Sequence, residues 1–136
     1  MTDIAQASFV LDLVPVESEL IGTGRFSFTK QWSGDVVGSG VGSMLSAGDP
    51  GAGSAGYVVL ETFTGSIGGR SGSLALQQFG RMHEGRMELR YEIVPGSGTD
   101  DLAGIGGTLE LTVTDGLHEV RLEYTTSDPA GNNQDE

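Results

Sequence analysis

Apolar and polar residues alternate in eight runs along this chain, and a period of two predicts strands with one inward and one outward face. The sharpest runs flank a glycine-rich corner. Before it Met87, Leu89, Tyr91 and Ile93 alternate with Arg86, Glu88, Arg90 and Glu92; after it Leu109, Leu111 and Val113 alternate with Thr108, Glu110, Thr112 and Thr114. The corner itself, Pro95 to Gly107, has no such period and reads as a loop. Within it Leu102 and Ile105 are three apart among capping-type residues, which predicts one helical turn whose apolar side chains plug the end of a sheet structure.

The other runs complete the pattern. Strand one is expected over Ala7 to Leu13 with Phe9, Leu11 and Leu13 on one face, and Pro15 either ends it or sets it at an edge. Strand two, Gly24 to Trp32, aligns Phe26, Phe28 and Trp32 with Lys30, the first polar residue on that apolar face. A turn at Ser33-Gly34-Asp35 leads into strand three, Val36 to Ser46, where Gly38, Gly40 and Gly42 leave one side bare. Ala47 to Ala55 shows no period and is expected to be a flexible connection. Strand four, Tyr57 to Ile67, aligns Tyr57, Val59, Phe63 and Ile67 with Glu61, while Val58 and Leu60 make its other side apolar, so both faces are expected to be covered. Strand five, Ser73 to Phe79, aligns Leu74 and Leu76 with Gln78, and Gly80 to Gly85 turns the chain into strand six.

Asp115-Gly116 between strand seven, Thr108 to Thr114, and strand eight, from His118 to about Thr126, is a strong hairpin signal. Strand eight turns His118, Val120, Leu122 and Tyr124 the same way. Residues 127–136 offer no apolar anchor beyond one alanine and are expected to be a disordered acidic tail after a single domain of residues 1–126. Eight strands with local connections predict an all-β fold, a single antiparallel, mainly up-and-down barrel with one short helical turn. A barrel of this size is either filled by its own side chains or holds one small ligand.

Composition narrows the partners. A length of 136 residues suits one domain with its own core. A formal charge of -12, from 19 acidic against 7 basic residues, repels phosphate backbones and anionic lipid, so neither nucleic acid nor membrane is an expected partner. The acids fall mainly on outward strand positions, where they serve solubility. There is no cysteine, hence no disulfide, thiol nucleophile or thiolate metal site. The first residues lack a basic region followed by an apolar one, and no apolar run is long enough to span a bilayer, so a cytoplasmic protein is expected.

The ordered series Phe63 to Ser73, Val94 to Thr99, Leu102 to Gly107, Asp115 to His118 and Glu123-Tyr124 resembles a bacterial family of small domains of unknown function. That family is similar in fold to the allene oxide cyclase-like β-barrel. The likeness is good over about residues 60 to 125 and weak over the first third. Members commonly carry a histidine at the end of strand five, where this chain has Gln77-Gln78-Phe79, and a tryptophan in strand one, where it has Asp12-Leu13-Val14. Roles of those side chains do not transfer. Because relatives of this fold include cofactor-free cyclases, the resemblance implies a ligand cavity, by fold analogy alone.

Candidate chemistry is sparse. Gly38-Ser39-Gly40-Val41-Gly42 is not followed by a helical pattern and no Gly-Lys-Ser/Thr occurs, which argues against phosphate binding. No serine lies in a Gly-x-Ser-x-Gly elbow. His83 sits in a polar turn, and neither histidine has metal-ligand spacing, so no metal and no cofactor are expected. Ser97 and Thr99 suit loop backbone bonding rather than nucleophilic attack.

Four polar residues on apolar faces remain: Lys30, Glu61, Gln78 and His118. A charge in a closed interior is costly unless matched, which makes Lys30 with Glu61 the natural pair, unless a bulge reverses a face and sends them to solvent. His118 has an alternative role too, fixing the hairpin by bonding a carbonyl. The leading expectation is a barrel that confines one apolar or amphipathic small molecule for cofactor-free isomerisation or cyclisation. Glu61 or His118 would orient or deprotonate, and Lys30 would balance charge or polarise a carbonyl. Phe26, Phe28, Trp32, Phe63 and Tyr124 would form walls, with Gln78 and Tyr91 completing the binding set.

A carrier without chemistry and a barrel filled by its own side chains are the competing expectations. Cavity volume separates them: a filled barrel removes both ligand readings, and a roomy cavity whose polar groups satisfy one another favours the carrier. The protein is expected to be monomeric only if its barrel edges are fully closed; otherwise glycine-rich outer faces and the doubly apolar strand four are expected to support a homodimer or homotrimer.

Overall fold

A computed structural model describes residues 2–126, so the tail expected over residues 127–136 lies outside the described residues. Eight strands form one closed antiparallel barrel in which each pairs with the next and the last with the first. They are β1 (Asp3–Val16), β2 (Thr23–Gly34), β3 (Val36–Asp49), β4 (Ser54–Ile67), β5 (Arg70–His83), β6 (Arg86–Ile93), β7 (Gly106–Thr114) and β8 (Leu117–Thr125). Turn chemistry explains the short connections. Gly68 and Gly69, Glu84 and Gly85, and Asp115 and Gly116 all have positive φ, the backbone that two-residue hairpins between right-twisted strands require.

The strands are longer than the periodicity suggested. β1 runs through Pro15, which pairs with Phe26 of β2 but lies beyond the stretch Asp3 to Phe9 that pairs with β8. Pro15 therefore sits at an edge and does not end the strand. β5 likewise continues to His83, which pairs with Arg86. The expected flexible connection at Ala47 to Ala55 is instead strand, then one 3₁₀ turn (Pro50–Ala52), then strand. Asp49 caps that turn by accepting from the Gly51 N–H at 2.9 Å, Pro50 starts it, and Gly53 at φ 86° closes it. Its sequence lacks an apolar period because its order comes from caps rather than burial.

β6 and β7 meet at one pair only, Glu92 with Thr108. The glycine-rich corner between them folds back onto β5: Val94 N–H donates to Ala75 O, Thr99 N–H to Ser73 O, and Ala75 N–H to Ser97 Oγ. A second 3₁₀ turn, Asp100–Leu102, then places Leu102 at 0 % exposure, with Ile105 buried beside it. Gly98 permits this, because a side chain there would run into the Leu102 carbonyl. The expected plug is real, and Ser97 and Thr99 serve its backbone.

Inward residues of all strands build the core, from Ala5, Val36, Ile67 and Leu74 at the plugged end to Phe9 and Phe28 further along. The outer face of β4 is not covered as expected: Val58 is 47 % and Leu60 56 % exposed. A single-layer barrel has nothing outside its wall to cover them.

Candidate functional site

Halfway along the barrel the apolar inner face is interrupted by Lys30 on β2 and Glu61 on β4, with β3 between them. The register sets Lys30 beside Gly40 and Glu61 beside Gly42, so the intervening strand presents no side chains there. A side chain at Gly40 would strike the Glu61 carboxylate and one at Gly42 the Phe28 ring. The glycines of β3 thus make the space in which the charges meet. Lys30 Nζ donates to Glu61 Oε1 at 2.7 Å and to Tyr91 Oη at 3.2 Å, and Trp32 Nε1 donates to Glu61 Oε2 at 3.0 Å. Lys30 is 4 % and Glu61 1 % exposed, so the expected ion pair lies inside the barrel. The Phe9 ring centre lies 4.1 Å from the ammonium, a further attraction for a desolvated cation.

These surroundings shift the acid–base groups in defined directions. Burial pulls the Lys30 ammonium below its ordinary value, and the facing Glu61 carboxylate restores part of the difference. Burial pushes the Tyr91 phenol well above its ordinary value, and the Glu61 charge adds to the rise. Tyr57 is raised by burial and held back by the hydrogen bond that Gln78 Nε2 donates to its oxygen at 2.7 Å.

The network divides the interior. On the plug side, the space among Trp32, Phe63, Leu76 and Leu122 amounts to only about 10 Å³, too little for a ligand. On the other side a pocket of about 200 Å³ opens, with Lys30 and Phe28 at its base. Its walls are Phe9, Leu11 and Leu13 of β1, Met44, Tyr57 and Val59, Gln78, and Leu111, Val113 and His118. His118 stacks on Phe9 with ring centres 4.9 Å apart and planes at 19°. Met44 and Tyr57 also line an adjoining groove of about 350 Å³ with Phe26, Pro50, Met82 and Met87. Flexible thioethers make that groove adaptable.

Of the residues expected from sequence, Lys30, Phe28, Gln78 and His118 line the pocket and Phe26 lines the groove. Glu61, Tyr91 and Trp32 form the network with Lys30 at the pocket base. Phe63 lies with Trp32 in the filled half, and Tyr124 reaches the Gly68 turn at the plugged end, so neither walls the pocket. Sequence reasoning missed Phe9, Leu11 and Leu13, Met44, Tyr57, Val59, Leu111 and Val113 as walls. Their parity was visible, since Tyr57 aligns with Glu61 and Leu111 with Leu109; their height along the barrel was not.

Among the described residues no group of three or more His, Asp or Glu side chains is placed to hold a metal ion. No helix there is long and apolar enough to cross a membrane.

The sequence pattern of a family described as protein of unknown function DUF3224 matches residues 8–124. The crystal structure of a DUF3224 protein of unknown function from Shewanella oneidensis MR-1 is similar over 94 % of this chain and 99 % of that one, with 32 % identity and a TM-score of 0.87. No curated protein is similar to the chain.

Proposed function

The chain belongs to the DUF3224 family of unknown function, and from that premise we propose that it is a small-molecule-binding barrel that holds one apolar or amphipathic ligand without transforming it. The observation that carries this reading is the pocket of about 200 Å³ above a polar network in which Lys30 and Trp32 already satisfy the Glu61 carboxylate. A pocket mostly walled by apolar and aromatic side chains with few polar groups is the general form of a small-ligand site. A Lys–Glu pair locked to Tyr91 and Trp32 is poorly placed to exchange protons with a substrate, which favours binding over turnover.

N-phenylnaphthylamine, a neutral apolar fluorophore, tests the reading. Saturable binding with one site per chain is expected, and Leu111→Trp, which fills the pocket, should abolish it while circular dichroism stays unchanged. Binding that never saturates, or that survives Leu111→Trp, overturns the proposal.

A second reading, a cofactor-free isomerase, is favoured by His118 lining the same pocket as Lys30. Lys30 would donate to the carbonyl oxygen of a β,γ-unsaturated ketone while His118 removes a proton from the α-carbon and returns it at the γ-carbon, the double bond moving into conjugation with the carbonyl. Deuterium uptake into a bound ketone, lost in His118→Gln, supports that reading; no uptake above the buffer rate excludes it.

A further inference from the structure

Resting on the binding reading above, we infer that the ligand is an uncharged, elongated apolar molecule with one oxygen acceptor, a carbonyl or hydroxyl, seated on Lys30. An ammonium has three N–H donors. Glu61 and Tyr91 take two of them, and Lys30 also lines the pocket, so a ligand oxygen entering there can take the third in exchange for the contact with Phe9. The choice of a neutral head follows from charge. Glu61 already balances Lys30, so a carboxylate would bring an unmatched negative charge into a desolvated space next to Glu61, inside a chain of net charge -12. Length follows from shape. The pocket itself, about 200 Å³, is smaller than the ~300 Å³ at which drug-sized sites begin, and the methionine-lined groove continues it past Met44 and Tyr57. The head fills the pocket and the tail lies in the groove.

Three probes of one length decide this: octyl methyl ketone, decane and decanoate, each titrated to displace N-phenylnaphthylamine from the wild-type protein. The ketone is expected to bind roughly fivefold tighter than decane, the ratio one net hydrogen bond of ~1 kcal/mol supplies, and decanoate is expected to bind weakest. Met44→Glu, which places a charge where pocket meets groove, should weaken the ketone at least tenfold. Decanoate binding as tightly as the ketone overturns the neutral-head inference and leaves the binding reading standing. If none of the three displaces the fluorophore and the fluorophore itself does not bind, the binding reading falls with it.

An independent observation concerns the outer wall, where charge is segregated. Outward positions of β2 from Ser27 to Ser33, β3 from Val37 to Leu45, β4 from Val58 to Ser66 and β5 from Ser71 to Phe79 carry no charged residue, whereas those of β6 are all charged. Val41, Val58, Leu60 and Phe79 stand out from this wall, each at least 47 % exposed. We propose that the wall is where two copies of the chain meet. Two chains of like charge approach most cheaply through a face without charges, and depletion of charge marks interface cores. Four strands of about nine residues make half the circumference of the closed wall, roughly 20 by 30 Å measured along its curve, so two such convex faces meet over less than the ~800 Å² per partner of a standard interface and the dimer is a weak one. Sedimentation is expected to show a dimer that Leu60→Glu splits and Val10→Glu, on exposed β1, leaves intact. A monomer in the wild type, or a dimer indifferent to Leu60→Glu, overturns this.

Discussion

The two ends of the barrel are built from the same eight strands and behave oppositely. At one end Leu102 has no exposure and the residual space is about 10 Å³; at the other Leu13 remains 40 % exposed beside a pocket of about 200 Å³. Strand composition does not separate them, since both inner faces are apolar. The connections do. At the first end a loop from Val94 to Ile105 folds inward across β5, while at the second the two-residue hairpins at Glu84-Gly85 and Asp115-Gly116, a capped 3₁₀ turn and a mostly exposed loop of residues 17–22 carry the chain from strand to strand and supply no plug. Between the ends the Lys30–Glu61 pair halts apolar packing, because a core that closed over it from both sides would need still more partners for its polar atoms.

The largest test of this division is at the pair. Lys30→Met leaves the Glu61 carboxylate buried without its cation and should cost about 3–5 kcal/mol in urea unfolding, whereas Lys30→Met with Glu61→Leu should recover most of that loss. Additive single and double effects would mean that the pair does not set the boundary. Next comes the plug: Leu102→Ala is expected to cost about 2–5 kcal/mol and Leu13→Ala less than about 1 kcal/mol, since only the first empties a closed site. Equal losses would erase the distinction between filled and open ends.

A smaller effect appears in alkali. The folded Tyr91 and Tyr57 lie above their ordinary value of 10.0, so the native chain binds more protons there, and their share of stability, complete below pH 10, is lost as pH rises through the raised values. Lys30 works the other way. Its folded value lies below 10.5, so the unfolded chain binds more protons and stability rises with pH up to that point. Stability should therefore climb as pH approaches 10 and fall once pH passes 10.5, where only the tyrosine loss continues, and Tyr91→Phe should reduce the fall, as read by urea unfolding at stepped pH. A fall of the same size in Tyr91→Phe would show that Tyr91 does not contribute. Smallest is Asp49→Ala, which removes the cap of the turn beside the groove and should cost about 1 kcal/mol while weakening fluorophore binding. Unchanged stability would mean that the cap does not hold that turn.

Much of this was legible in the chain itself. Local alternation assigned the strands, put Lys30 and Glu61 on inward faces, and marked Leu102 and Ile105 as a plug. What misled was locality of another kind: Ala47 to Ala55 has no period and yet is ordered, because Asp49, Pro50 and Gly53 specify a turn through backbone bonds that no hydropathy pattern records.

The sequence by itself determined the fold class and the facing of each side chain, since strand geometry repeats every two residues and binds face to residue parity. Only the tertiary structure decided the height of each side chain along the barrel. Phe28, Phe63 and Tyr124 all face inward, yet the first lines an open pocket, the second a filled core and the third the plugged end. Height depends on the stagger of paired strands around the closed sheet, a sum over eight registers set by turns and by glycines such as Gly40 that let strands pass a neighbour's side chain. Parity is a property of one strand, and stagger belongs to the whole ring.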